Sequence, residues 1–90
     1  MSRAFVNEDA GGFQRPGRFG LPPRADPGYD AAAARALLDA AVEGDTGAAE
    51  AATGYYWGEP SLRSHVEHIL ADARRAHDEE LERAAERFLR

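Results

Sequence analysis

The chain contains no cysteine, no lysine and no apolar run of seven or more residues. Each absence removes a class of protein. Without cysteine there is neither a disulfide framework nor a thiolate metal site. Without a long apolar run, and with Met1-Ser2-Arg3 at the start, neither a secretory signal nor a membrane span fits. The expectation is a cytoplasmic protein that does not engage a membrane. With lysine missing, all eleven basic residues are arginine, and together with nineteen alanines this reflects a GC-rich, bacterial genome more than it reflects chemistry.

Ninety residues allow one modest domain. The net charge of −5 is unevenly spread. Residues 1–28 carry four Arg against three acids, whereas residues 29–90 carry seven Arg against thirteen acids. An acidic folded part repels phosphate backbones, so nucleic acid is not the expected ligand of residues 29–90.

Residues 1–28 hold Gly11, Gly12, Gly17, Gly20 and Gly28 with Pro16, Pro22, Pro23 and Pro27. Glycine leaves the unfolded backbone too much freedom and proline removes donors, so this stretch reads as a flexible arm. Phe5, Val6, Phe13, Phe19 and Leu21 are spaced along it like hooks for a surface.

Residues 29–90 read as an all-α domain of two short helices and one long C-terminal helix. Asp26-Pro27 supplies a cap and a first-turn proline, Ala31 to Ala34 propagate the helix, and Gly44 ends it near Glu43. A second helix is expected over 46–53, stopped by Gly54. Gly54-Tyr55-Tyr56-Trp57-Gly58 then forms an aromatic knot between two glycines. From Pro60 onward, Leu62, Val66, Ile69, Leu70, Ala73, His77, Leu81, Ala84, Ala85 and Phe88 keep one apolar stripe at helical period. No Gly or Pro interrupts 61–90, which favours a single helix, although Asp78 could cap a separate final segment.

Length then raises a question of cover. At 1.5 Å per residue the first helix spans roughly 25 Å and the last roughly 45 Å. The end of the stripe, with Leu81, Ala84, Ala85 and Phe88, is left over. The arm, a fold-back of the helix or a second chain could cover it, and a homodimer through this end is the expectation.

Chemistry-bearing constellations are sparse. His65, His68 and Asp72 share one helical flank and form a metal-binding alternative, but the histidines are three apart rather than the four of the catalytic zinc helix. His77 has neither nucleophile nor pocket beside it in the sequence, and reads as a half-buried histidine bonded at a helix interface. Residues 47–53 hold Glu50 and no basic residue, which rules out a DNA-reading helix there. The glycines of 11–20 precede no helix and lack the lysine of a phosphate loop. No cofactor and no catalytic residue is expected. Trp57 is expected in the core, because few other large side chains surround the knot, while Tyr55 and Tyr56 are candidates for exposure.

The leader Ser2-Arg3-Ala4-Phe5-Val6-Asn7-Glu8-Asp9 resembles the extreme N-terminus of small bacterial Gre-type factors, which act in the RNA polymerase secondary channel. It covers eight residues, has Asn7 where that leader usually has lysine, and is followed by neither the coiled-coil finger nor the β-rich domain of that family. The resemblance implies a docking arm directed at the transcription machinery.

The leading expectation is a non-catalytic protein-interaction module, not an enzyme. Its contacts would be Phe5, Phe13, Phe19, Tyr55, Tyr56, Leu81 and Phe88, with an unidentified protein as partner. For residues 1–20, glycine and proline density predicts fast amide exchange and sharp, random-coil NMR shifts. Protected amides through Phe5 to Phe19 would place the arm inside the fold.

Overall fold

The computed structural model describes residues 19–90, and these are all-helical with connecting turns. Four α-helices follow in order: α1 (Tyr29–Glu43), α2 (Thr46–Thr53), α3 (Arg63–Ala76) and α4 (Glu79–Leu89). A single 3-10 turn, Pro60–Leu62, leads into α3. Among the described residues, no helix is long and apolar enough to cross a membrane.

Asp26 acts one turn earlier than a cap at α1 would. Its Oδ1 accepts the Gly28 N–H at 2.7 Å and its carbonyl accepts the Tyr29 N–H at 2.9 Å. The Asp26-Pro27-Gly28 segment is therefore a turn that aims the chain into the helix. Part of the stretch expected as an arm packs on the helices. Phe19 packs against the helical core and Leu21 and Pro22 are half-buried, so residues 19–28 belong to the folded part. The expected flexibility of residues 1–18, with Phe5 and Phe13, lies outside the described residues.

Gly44 ends α1 in the left-handed region at φ 79°. Its N–H donates to the Ala41 carbonyl and the Asp45 N–H to the Ala40 carbonyl, the paired pattern that satisfies the last free carbonyls. α3 ends in the same way, with the His77 N–H on Arg74 and the Asp78 N–H on Ala73. His77 sits there at φ 59°, and among the described residues it is the one non-glycine with positive φ.

The single helix expected over the last third of the chain is therefore two. Asp78 caps α4 by accepting the Leu81 N–H on its Oδ1 at 3.2 Å, and Glu79, Glu80 and Glu82 complement the positive end of the helix dipole. α4 folds back antiparallel to α3, so that Arg63 Nη2 at the start of α3 reaches the Leu89 carbonyl at 2.9 Å. Arg74 bridges the pair on the outside, with Nε 3.3 Å from Glu82 and Nη2 3.2 Å from Glu86. These are exposed ion pairs and add little to stability. The fold-back itself is driven by apolar burial.

That burial also answers the question of cover without calling on a second chain. Leu81 is 6% exposed, Phe88 1%, and Ala84 and Ala85 fully buried, all within one chain. The stripe is covered by the chain's own fold, and the length mismatch that called for a second copy disappears. His77, placed at a helix interface by its position in the stripe, is exposed at the turn.

Leu37, Leu38, Leu62, Val66 and Phe88 fill the core, and Ala34, Ala40, Ala49, Ala73, Ala84 and Ala85 line the helix contacts between them. Small side chains let helix axes approach to about 8 Å, the close end of the packing range. Trp57 closes one end of this core, as expected. Its ring stands edge-on to Phe88 with centroids 4.9 Å apart and planes at 67°, and its backbone N–H donates to Glu50 Oε2 at 2.8 Å. The indole is half-buried, so Trp57→Ala is expected to cost about 2–3 kcal/mol, below the full range for a buried tryptophan. Tyr56→Ala should stay within about 0.5 kcal/mol. Thermal unfolding compares the two, and a Trp57→Ala curve that superimposes on wild type would remove the indole from the core.

Candidate functional site

The connection from α2 to α3 carries the aromatic knot, and the first turn of α1 holds it in place. Tyr29 is buried, and its hydroxyl donates to the Thr53 carbonyl at 2.9 Å. Thr53 Oγ1, also buried, accepts the Tyr55 N–H at 3.1 Å. The Tyr55 hydroxyl in turn donates to Asp30 Oδ1 at 2.6 Å. Two of these hydrogen bonds tie Thr53 and Tyr55 to Tyr29 and Asp30, and the third joins Thr53 to Tyr55.

Arg24 completes this clamp. Its guanidinium carbon lies 5.3 Å from the Tyr29 ring centre and 5.9 Å from that of Tyr55, so one cation faces two aromatic rings. Gly54 is favoured here by its φ of +81°, and a Cβ at this position would lie 2.8 Å from Arg24 Nη1 and displace that flexible guanidinium from the rings.

Between the clamped Tyr55 and the core-anchored Trp57, Tyr56 is 78% exposed. Beside it lies a shallow, open hollow of about 320 Å³, lined by Gly47, Glu50, Ala51, Gly54, Tyr55 and Tyr56. Its floor is mostly glycine and alanine from α2, and Glu50 is already engaged by the Trp57 N–H. The glycine and alanine floor can accept an apolar or aromatic group, with the Glu50 carboxylate held at its side by the Trp57 N–H.

The residues singled out from sequence separate into three groups. Tyr55 and Tyr56 are brought together at the hollow. Leu81 and Phe88 lie in the core and offer no surface to a partner, because the fold-back of α4 buries them. Phe19 is half-buried against the core, and Phe5 and Phe13 lie outside the described residues. Among the described residues no three His, Asp or Glu side chains gather where they could hold a metal ion. Asp72 instead pairs with Arg75 on the surface of α3, beside His68, while His65 is half-buried.

Sequence reasoning did not single out Arg24 or Asp30. Neither sits in a motif, and each acquires its role from an aromatic ring brought to it by the fold. No family model, curated protein or solved structure matches the chain.

The Tyr55 hydroxyl gives the clamp a pH signature. Its bond to Asp30, reinforced by burial and by the Asp30 charge, raises its pKa above the ordinary 10.0, with Arg24 opposing. A phenol with a raised folded pKa contributes stability that is fully present below the unfolded value. That contribution is lost as pH rises through the folded one. Thermal unfolding should therefore show stability falling above pH 10, and Tyr55→Phe should flatten the tyrosine-dependent part of that fall. An identical alkaline profile in the variant would mean that the Tyr55–Asp30 bond does not persist in solution.

Proposed function

We propose that this chain is a non-catalytic protein-interaction module that meets its partner through Tyr56 and the hollow beside it. The observation that carries this reading is the 78% exposure of a tyrosine whose two neighbours in sequence are both fixed. Tyr55 is tied to Asp30 and Trp57 to Glu50 and Phe88. A ring presented from an anchored backbone loses little freedom on binding, and exposed aromatic anchors beside shallow pockets dominate interface energies. An isolated exposed side chain needs no explanation, but one paired with an apolar hollow on a rigid connection is a docking feature.

A cytoplasmic location is part of the same proposal. A second reading, an accessory factor of the transcription machinery, is favoured by the Ser2–Asp9 leader, which would act as a contact additional to Tyr56.

The test is a photo-crosslinking residue at position 56, compared with the same residue at Ala71, which is exposed on α3. In extract from the native cell, position 56 should give a discrete protein adduct. Excess unlabelled wild type should suppress it, and Tyr56→Ala competitor should suppress it at least about tenfold less well, as befits loss of one aromatic anchor. Equal labelling from Ala71, or equal competition by Tyr56→Ala, would remove the interaction surface from this face. An adduct containing a subunit of RNA polymerase selects the accessory-factor reading.

A further inference from the structure

We infer that this chain can exchange α4 with a second copy of itself, by straightening the His77–Asp78 turn into a continuous helix. The turn is made from residues that do not demand it. Gly44 and Gly54 hold the left-handed positions after α1 and α2, at φ 79° and 81°. After α3 the same position is held by His77 at φ 59°, where a Cβ crowds the following carbonyl. Without glycine or proline over 61–90, nothing in the covalent chain forbids helix through the turn.

The apolar pattern agrees with both shapes. Val66, Ala73, His77, Leu81, Ala84 and Phe88 follow one another at spacings that keep to one face of an uninterrupted helix. Folded back, those of α4 pack on α3 of the same chain. Straightened, they project away from it and need an identical receiving surface.

That surface exists in a second copy and fits α4 in particular. Trp57 receives the Phe88 ring, Arg63 receives the Leu89 carbonyl, and Arg74 pairs with Glu82 and Glu86. Because α3 and α4 run antiparallel in one chain, two straightened chains related by a two-fold axis near His77 lie antiparallel as well. Each α4 then packs on the other chain's α3 with the same contacts. Every interhelix contact of the monomer is regained, the left-handed strain at two turns is relieved, and the remaining cost is association itself. The Tyr56 hollow is on a different surface, so this inference does not depend on the interaction reading above.

The experiment uses the full chain with Ser64→Cys and Arg90→Cys spin labels, which are the only thiols present. Labelled protein is diluted into excess unlabelled chain, warmed at high concentration through its melting transition, cooled and sized by ultracentrifugation. In the monomer the labels sit close together, whereas a continuous helix sets them about 39 Å apart at 1.5 Å per residue. A dimer fraction carrying the long distance is expected. Replacing both turn residues, His77→Ala with Asp78→Ala, should raise the dimer association constant, and His77→Gly should lower it, by roughly tenfold per turn. Wild type and the double variant both remaining helical and monomeric would overturn exchange, as would a dimer showing the short distance alone. If the double variant does not fold, wild type and His77→Gly decide the matter, since equal dimer shares in those two also overturn it.

Discussion

The turn at His77–Asp78 is the constraint on which the rest of the structure depends. Without it, the last third of the chain would be one amphipathic rod with half its apolar face in water. With it, α4 returns along α3 and brings Phe88 to Trp57, which closes the end of the core beneath the aromatic connection. The turn is held by packing as much as by local chemistry. The Asp78 cap and three acidic residues in the first turn of α4 favour a new helix start, while His77 accepts an unfavourable backbone conformation because Leu81 and Phe88 are buried as a result.

A second organising element is polar. The Tyr29–Thr53, Thr53–Tyr55 and Tyr55–Asp30 bonds join the start of α1 to the end of α2 and the residue after Gly54, with Arg24 lying over both tyrosine rings. The exposed Tyr56 ring inherits its position from this set. The interaction surface and the core are thus adjacent products of one connection: Trp57 faces inward, Tyr55 sideways to Asp30, and Tyr56 outward.

Much of this was legible in the residues themselves. The all-helical class, the end of the first helix at Gly44 and the second helix between Asp45 and Gly54 follow from alanine propensity and glycine stops, which are local effects. The inward Trp57 followed from the shortage of other large side chains. The break at His77 was visible only as an Asp78 cap, since histidine is no stop signal and its left-handed conformation is repaid by residues four and eleven positions later. Two adjacent tyrosines carry identical local information, and the choice of which one faces solvent is made by Asp30, 25 residues away. The ordering of residues 19–28 is likewise tertiary, because Arg24 acts through Tyr29 and Tyr55 and Phe19 through the core.

The alanine-lined helix contacts carry a consequence for how this sequence can change. Ala34, Ala40, Ala49, Ala73, Ala84 and Ala85 contribute little apolar area each, yet they set how near the helices approach. Any larger side chain there must push whole helices apart, whereas a larger aliphatic at an exposed alanine such as Ala51, Ala52 or Ala71 meets only solvent. Mutational tolerance in this domain is therefore sorted by room to grow more than by hydrophobicity. Two alanines a single helical step apart can be, one of them, freely replaceable, and the other nearly fixed.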